Sequence, residues 1–119
     1  PSYEDVKLLA STAFYADVVI NVGSTMAFDF AMYDKPCVFI NYDQPNKTGL
    51  SMEVIYQFQH FRSMTDQTAV FWLNSKSEIL STIESALSTT ANPAMDAWKA
   101  KVLGHYQNAS ANIRAALQG

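Results

Sequence analysis

The sequence has 119 residues, of which 49% are hydrophobic and 16% charged, so it suits one domain with a packed core rather than a disordered chain. The formal net charge is −3 and no basic block occurs, which argues against nucleic acid as a partner. No apolar run approaches the roughly 20 residues that a membrane span needs.

In chain order, Ser2 is an N-cap with Asp5 three residues on as a loose capping box. Val6, Leu9 and Ala13 follow at helical spacing, with Leu8 widening the stripe. The chain opens at Pro1 inside this helix approach, which reads as a piece of a longer protein. Residues 17–22 read as a short buried strand, 24–33 as a helix closed before Pro36, and 37–40 as a second buried strand. Cys37, the single cysteine, has no partner for an internal disulfide and reads as a buried thiol in a reduced compartment. Residues 41–51 form a loop rich in turn residues, 53–58 a short helix, and 60–64 a short extended piece. Residues 69–73 are the third strand. Ser75 and Glu78 then form an S-x-x-E capping box before the stripe of Ile79, Leu80, Ile83, Ala86 and Leu87.

The last segment is the most regular. Asn92 caps, Pro93 takes the first helical position, and Met95, Trp98, Val102, Tyr106, Ala109, Ile113 and Leu117 step by three or four residues. The spacing predicts an amphipathic helix near 92–118, with Gly104 as its point of interruption or kinking. So long a helix projects beyond a small sheet from about Ala109 onward, or bends at Gly104 and folds back.

Alternation of helices with short apolar strands predicts β-α-β units: three parallel strands in adjacent order, joined by right-handed crossovers, with helices on both faces. In such sheets ligands bind beyond the carboxyl ends of the strands. Gly23-Ser24-Thr25 lies at such an end. Gly23 takes a positive φ and admits close approach to the backbone, and the start of the next helix offers N–H groups to an anion. Two readings stand side by side here: a phosphate contact, or Ser24 simply capping its helix.

Residues 3–43 carry a further pattern: Ala16-Asp17-Val18-Val19-Ile20, then Gly23-Ser24-Thr25, then Asp29 with Ala31, then Lys35-Pro36 and a strand. This stretch resembles the nucleotide-binding half of GT-B glycosyltransferases. It looks most like the branch containing CDP-glycerol glycerophosphotransferases. The weaker tail, with its Ser-rich cap and helix at 78–83, fits as well. The resemblance implies a Rossmann-like three-layer α/β/α fold with a short parallel sheet, the later half of a GT-B C-terminal domain, spanning residues 1–119 as a single domain or domain fragment. It places the donor diphosphate at Gly23, Ser24 and Thr25 and the nucleotide ribose at Asp29. An acceptor-only carboxylate one turn into a helix suits ribose hydroxyls. It is also at home there as a solvated acid near a helix N-terminus.

Two departures bear on the donor. Asp34 stands where such enzymes often have a helix-terminating Gly, and Asn21-Val22-Gly23-Ser24 replaces the branch's Asp-Tyr-Ser-Ser. A sugar nucleotide, UDP-, CDP- or GDP-linked, therefore fits as well as CDP-glycerol. The resemblance implies transfer of a sugar or glycerol-phosphate group in surface-polymer synthesis. It implies an N-terminal Rossmann domain of the same protein as partner and source of the catalytic base, no turnover from this piece alone, and no cofactor. The default expectation for location is cytoplasmic, with membrane association of the full-length protein as an option. In the isolated piece the apolar stripe of the last helix implies self-association.

Other constellations are sparse. His60 and His105 lie far apart and no metal-ligand spacing occurs, so no metal is expected. His60 is an ordinary loop histidine or a lining of the donor cleft. Asn46-Lys47-Thr48 and Asn108-Ala109-Ser110 match the glycosylation sequon. Phe14, Tyr15, Phe28, Phe30, Phe39, Phe71 and Trp72 read as core; Tyr42 and Tyr56 are candidates to stack on a base. Two rival classes share the pattern, a nucleotide-sugar epimerase-like domain and a non-catalytic interaction module.

Overall fold

The computed structural model describes residues 1–45, 49, 51–104 and 106–119. The sequon at Asn46 and His105 fall outside the described residues. The chain is a mixed α/β structure. Its elements are α1 (Tyr3–Tyr15), β1 (Val19–Asn21), α2 (Met26–Ala31), β2 (Cys37–Ile40), α3 (Met52–Ile55), α4 (Gln59–Arg62), β3 (Phe71–Leu73), α5 (Ile79–Ser88), α6 (Pro93–Leu103) and α7 (Ala109–Gln118). The strands form one parallel sheet in the order β1-β2-β3, with Val19 opposite Cys37 and Val38 opposite Phe71. The expected strand positions, order and direction are all present.

Side chains alternate across a strand, so β2 feeds two cores. Cys37 and Phe39 join Ala27, Phe28 and Ala31 of α2, Phe61 of α4, and Met95 and Trp98 of α6. Val38 faces the other way and packs with Leu73 of β3 and Ala86 of α5. Helices therefore cover both faces of the sheet. Phe39 is fully buried, and its ring lies within 5.5–6.3 Å of the rings of Tyr56, Phe61, Trp72 and Trp98.

The chain signals at α1 and α6 act as their sequences dictate. The Ser2 hydroxyl accepts from the Asp5 amide at 3.2 Å while Asp5 accepts from the Ser2 amide at 2.8 Å, a complete capping box. Asn92 accepts from the Met95 amide at 3.0 Å and donates to the Ala69 carbonyl at 3.0 Å, so the cap of α6 also ties it to the segment before β3. The Ser75–Glu78 box does not form. The first turn there tightens into a 3₁₀ turn, Lys76–Glu78, and the Ser75 hydroxyl pairs with that of Ser77 at 3.0 Å.

The helix expected over 24–33 begins at Met26 and closes in a Schellman motif. The Lys35 amide donates to the Phe30 carbonyl and the Asp34 amide to the Ala31 carbonyl, each at 3.1 Å. Asp34 sits at φ 57°, in the place a glycine commonly fills. Lys99 Nζ caps the same helix end, donating to the Ala31 carbonyl at 3.0 Å.

Three further expectations are corrected. Residues 60–62 of the piece expected to be extended at 60–64 are helical, within α4, because extended Phe58 restarts the chain and lets Phe61 bury against Phe39. Phe14 and Tyr15 are exposed at the end of α1 rather than core. The helix expected near 92–118 is two helices, because Gly104 turns at φ 58°, ψ −136°, a conformation open to little but glycine. Beyond it every residue of α7 is exposed. The radius of gyration, 16.2 Å, accordingly exceeds the roughly 13.5 Å of a compact chain this long.

Phe39→Ala should cost about 3–5 kcal/mol in urea unfolding, since four rings lose their common neighbour. Asp34→Gly should instead stabilise by about 0.5–1 kcal/mol, by relieving a left-handed non-glycine residue. An unchanged or lowered urea midpoint for Asp34→Gly would show that the Asp side chain contributes more than its backbone strain costs.

Candidate functional site at the carboxyl edge of the sheet

All three strands run out at one edge, and each ends on two apolar residues followed by asparagine: Val19-Ile20-Asn21, Phe39-Ile40-Asn41 and Trp72-Leu73-Asn74. The amides shape this edge. Asn21 Oδ1 accepts from the Ser24 amide at 3.1 Å, and its Nδ2 lies 3.6 Å from Cys37 Sγ. Asn41 donates to Asn74 Oδ1 at 2.9 Å, while the Asn41 amide bonds the Leu73 carbonyl at 2.8 Å. The ends of β2 and β3 are thus locked together.

The turn after β1 has the predicted backbone, with Gly23 at φ 57°. What approaches Gly23 is the chain itself. A Cβ at this position would lie 2.8 Å from Ile55 Cγ2, 3.1 Å from Tyr56 Cε1 and 3.3 Å from Phe61 Cε2. Ser24 Oγ accepts from the Met26 amide at 3.2 Å, so Ser24 does cap the start of α2, and with the Asn21 bond two of the turn's amides have internal acceptors. Thr25 makes no side-chain cap bond. Asp29 is exposed on α2, one turn beyond Thr25. Gly23, Ser24, Thr25 and Asp29 are thus one continuous feature.

Beside it, beyond the ends of β2 and β3, lies an open cleft of about 600 Å³. Its walls include Asn41, Asp43, Glu53, Gln57, Gln67 and Asn74, with Tyr42, Tyr56 and Trp72 as aromatic surface. Asp43 Oδ1 accepts from the Met52 amide at 3.0 Å, which helps to fix the start of α3. The Trp72 indole donates to the Gln67 carbonyl at 2.8 Å. Tyr56 separates turn from cleft. Its hydroxyl donates to the Ile40 carbonyl, and its ring stacks on Phe39 and meets Trp72 edge-on at 5.0 Å. Burial, and next the nearby Cys37, push the Tyr56 hydroxyl well above the usual phenol range, against the pull of the Gly23 amide. Tyr56 is therefore a wedge in the core with one edge in the cleft.

Tyr42 and Tyr56 are among the residues that line the cleft; His60 lies outside its lining, with its ring 4.1 Å from that of Phe61. The side-chain amides were missed as site residues. The repeated strand-terminal asparagine was the available signal.

A smaller cleft of about 260 Å³ opens at the opposite, amino edge, between Asp34, Lys35, Asn92 and Asp96, with Cys37 and Met95 in its lining. Burial pushes the Cys37 thiol up to about 12, with Asn21 pulling the other way, so it stays protonated and is no nucleophile. Among the described residues no group of three or more His, Cys, Asp or Glu could hold a metal ion, and no helix is long and apolar enough to cross a membrane.

No protein-family model, curated protein or solved structure matches the chain.

The buried thiol gives a pH signature. Below the ordinary thiol value of 9.0 both folded and unfolded chains hold the proton, and stability is unaffected. From pH 9.0 towards about 12 the unfolded chain releases it while the folded chain keeps it, so stability falls as pH rises, by up to about 1.4 kcal/mol per pH unit. Urea unfolding at pH 8, 9 and 10 should show this decline in the wild type. In Cys37→Ala it should be delayed until the part-buried Tyr56, ordinarily near 10.0, adds its own loss of the same sign. Equal slopes between pH 9 and 10 in both proteins would refute the assignment to Cys37.

Proposed function

We propose that the chain is the donor-binding part of a nucleotide-dependent transferase of GT-B type, Rossmann-like in its layering, which moves a sugar or glycerol-phosphate group from an activated donor. One observation carries this reading. The carboxyl edge of a parallel sheet bears both a glycine turn leading into a helix and an open cleft of about 600 Å³, with Tyr56 touching both. That edge is where α/β sheets bind ligands. On this reading Gly23, Ser24 and Thr25 face the diphosphate, Asp29 takes the ribose, and the transferred group lies towards the cleft. The catalytic base comes from a second domain of the same protein, at the cytoplasmic side of a membrane, and this piece alone turns nothing over.

One observation favours a second reading, a non-catalytic interaction module. Two of the turn's amides already have internal acceptors, Asn21 Oδ1 and Ser24 Oγ, and the chain's own side chains pack on Gly23. A diphosphate that took the Ser24 or Met26 amide would displace one of these bonds.

Titration with UDP, CDP and GDP, followed by amide shifts, separates the two. The donor reading expects shifts centred on residues 23–29 and affinity about tenfold weaker in Asp29→Ala, the scale of one hydrogen bond to a charged group. Shifts remote from this segment, or affinity indifferent to Asp29, would leave the interaction module as the reading.

A further inference from the structure

The large cleft at the carboxyl edge has walls of one chemical character. Among the described residues that line it, Asp43 and Glu53 are carboxylates, Asn41, Gln57, Gln67 and Asn74 are carboxamides, and none is Lys, Arg or His. A carboxamide donates and accepts, whereas a carboxylate only accepts. Hydroxyl groups suit both, since each can donate and accept at once. A phosphate ester suits neither so well. It brings acceptors and negative charge to two carboxylates and meets no cation among these residues. At about 600 Å³ the cleft falls within the roughly 300–1,000 Å³ of small-molecule sites. Tyr56 and Trp72 add aromatic surface, against which the carbon-bound hydrogens of a sugar can lie. Part of the wall is fixed in advance: Asn41 is bonded to Asn74, the Tyr56 hydroxyl to the Ile40 carbonyl and the Trp72 indole to the Gln67 carbonyl.

We propose that this cleft takes an uncharged, polyhydroxylated group of monosaccharide size, a neutral hexose, and that Glu53 together with Asp43 turns a phosphorylated group away. A sugar and a glycerol-phosphate group are equals as far as the turn at Gly23 is concerned; the walls of the cleft separate them. That the hexose is the transferred part of a nucleotide donor rests on the donor reading. The preference for an uncharged group belongs to the cleft itself and is testable with free probes.

The test follows amide and indole shifts of the 119-residue chain. The probes are free glucose, galactose, mannose and N-acetylglucosamine and, separately, glycerol phosphate. At least one hexose should shift the signals of Asn41, Asn74 and Trp72 saturably, with a Kd on the order of millimolar, and glycerol phosphate should not. Glu53→Ala should weaken the hexose about tenfold and Gln57→Ala about threefold, the scales of a charged and a neutral hydrogen bond. Glu53→Lys should weaken the hexose and let glycerol phosphate shift the same signals. Both side chains are exposed, and circular dichroism establishes that each variant is folded. The proposal is overturned if no hexose shifts these signals at concentrations about tenfold above the expected Kd. It is equally overturned if glycerol phosphate binds the wild type as tightly as the best hexose, or if hexose binding is indifferent to both Glu53 substitutions. Nucleotide shifts at residues 23–29 with no hexose at the cleft reject this inference and leave the donor reading standing. Hexose binding without nucleotide binding does the reverse.

Discussion

The burial of Phe39 at the centre of β2 is the contact on which the rest of the structure depends. The sheet has three short strands, and hydrogen bonding between them specifies direction and spacing but little stability. What holds the helices to it is a cluster of rings. Phe39 touches Tyr56 from the end of α3, Phe61 from α4, Trp72 from β3 and Trp98 from α6. Four segments distant in sequence thus share one neighbour. Trp98 is fixed in turn by its indole, which donates to Ser63 Oγ at 2.9 Å. The polar atoms at the edge of the cluster are hydrogen-bonded within the chain.

That cluster also shapes the site. Tyr56 belongs to it through its ring, to the sheet edge through its bond to the Ile40 carbonyl, and to the turn after β1 through its contact with Gly23. Movement of the turn therefore requires movement of Tyr56, and Tyr56 moves only if the stack on Phe39 opens. The turn is preorganised by the core behind it. Such rigidity suits a binding surface, since less ordering remains to be done when a ligand arrives. It also restricts what the turn can accept, because its backbone is approached from one side by the chain's own side chains.

The sheet was legible in the sequence because buried parallel strands are continuous apolar runs, and Val-Val-Ile, Cys-Val-Phe-Ile and Phe-Trp-Leu are bounded by turn residues. Ser2 with Asp5, and Asn92 with Pro93, were legible because capping is local chemistry. The failures were tertiary. Residues 59–62 turn helical because Phe61 is drawn under Phe39, which no window around it reveals. Ser75 yields its cap to a 3₁₀ turn although its sequence matches the motif. The stripe of the last segment runs on across Gly104, where the glycine itself signalled an interruption and the backbone breaks; a stripe records which residues share a face and not whether the backbone is continuous. At the site, the turn at Gly23 was legible and the cleft was not, since its walls come from four segments that only the fold assembles.

The three strand-terminal asparagines show why the larger cleft forms at the carboxyl edge. A carboxamide donates and accepts at once, so it can satisfy the backbone where the ladder stops and still present polar atoms outward. Asn21 does this for the turn after β1, and Asn41 with Asn74 does it between β2 and β3. At the amino edge the β1–β2 ladder is entered through the Val19 amide bonded to the Pro36 carbonyl, and Cys37, Ala31 and Met95 fill the space close by. One edge is consequently packed close to the core and offers the smaller cleft. The other ends in amides spaced by the parallel register, and between them the chain leaves the larger opening.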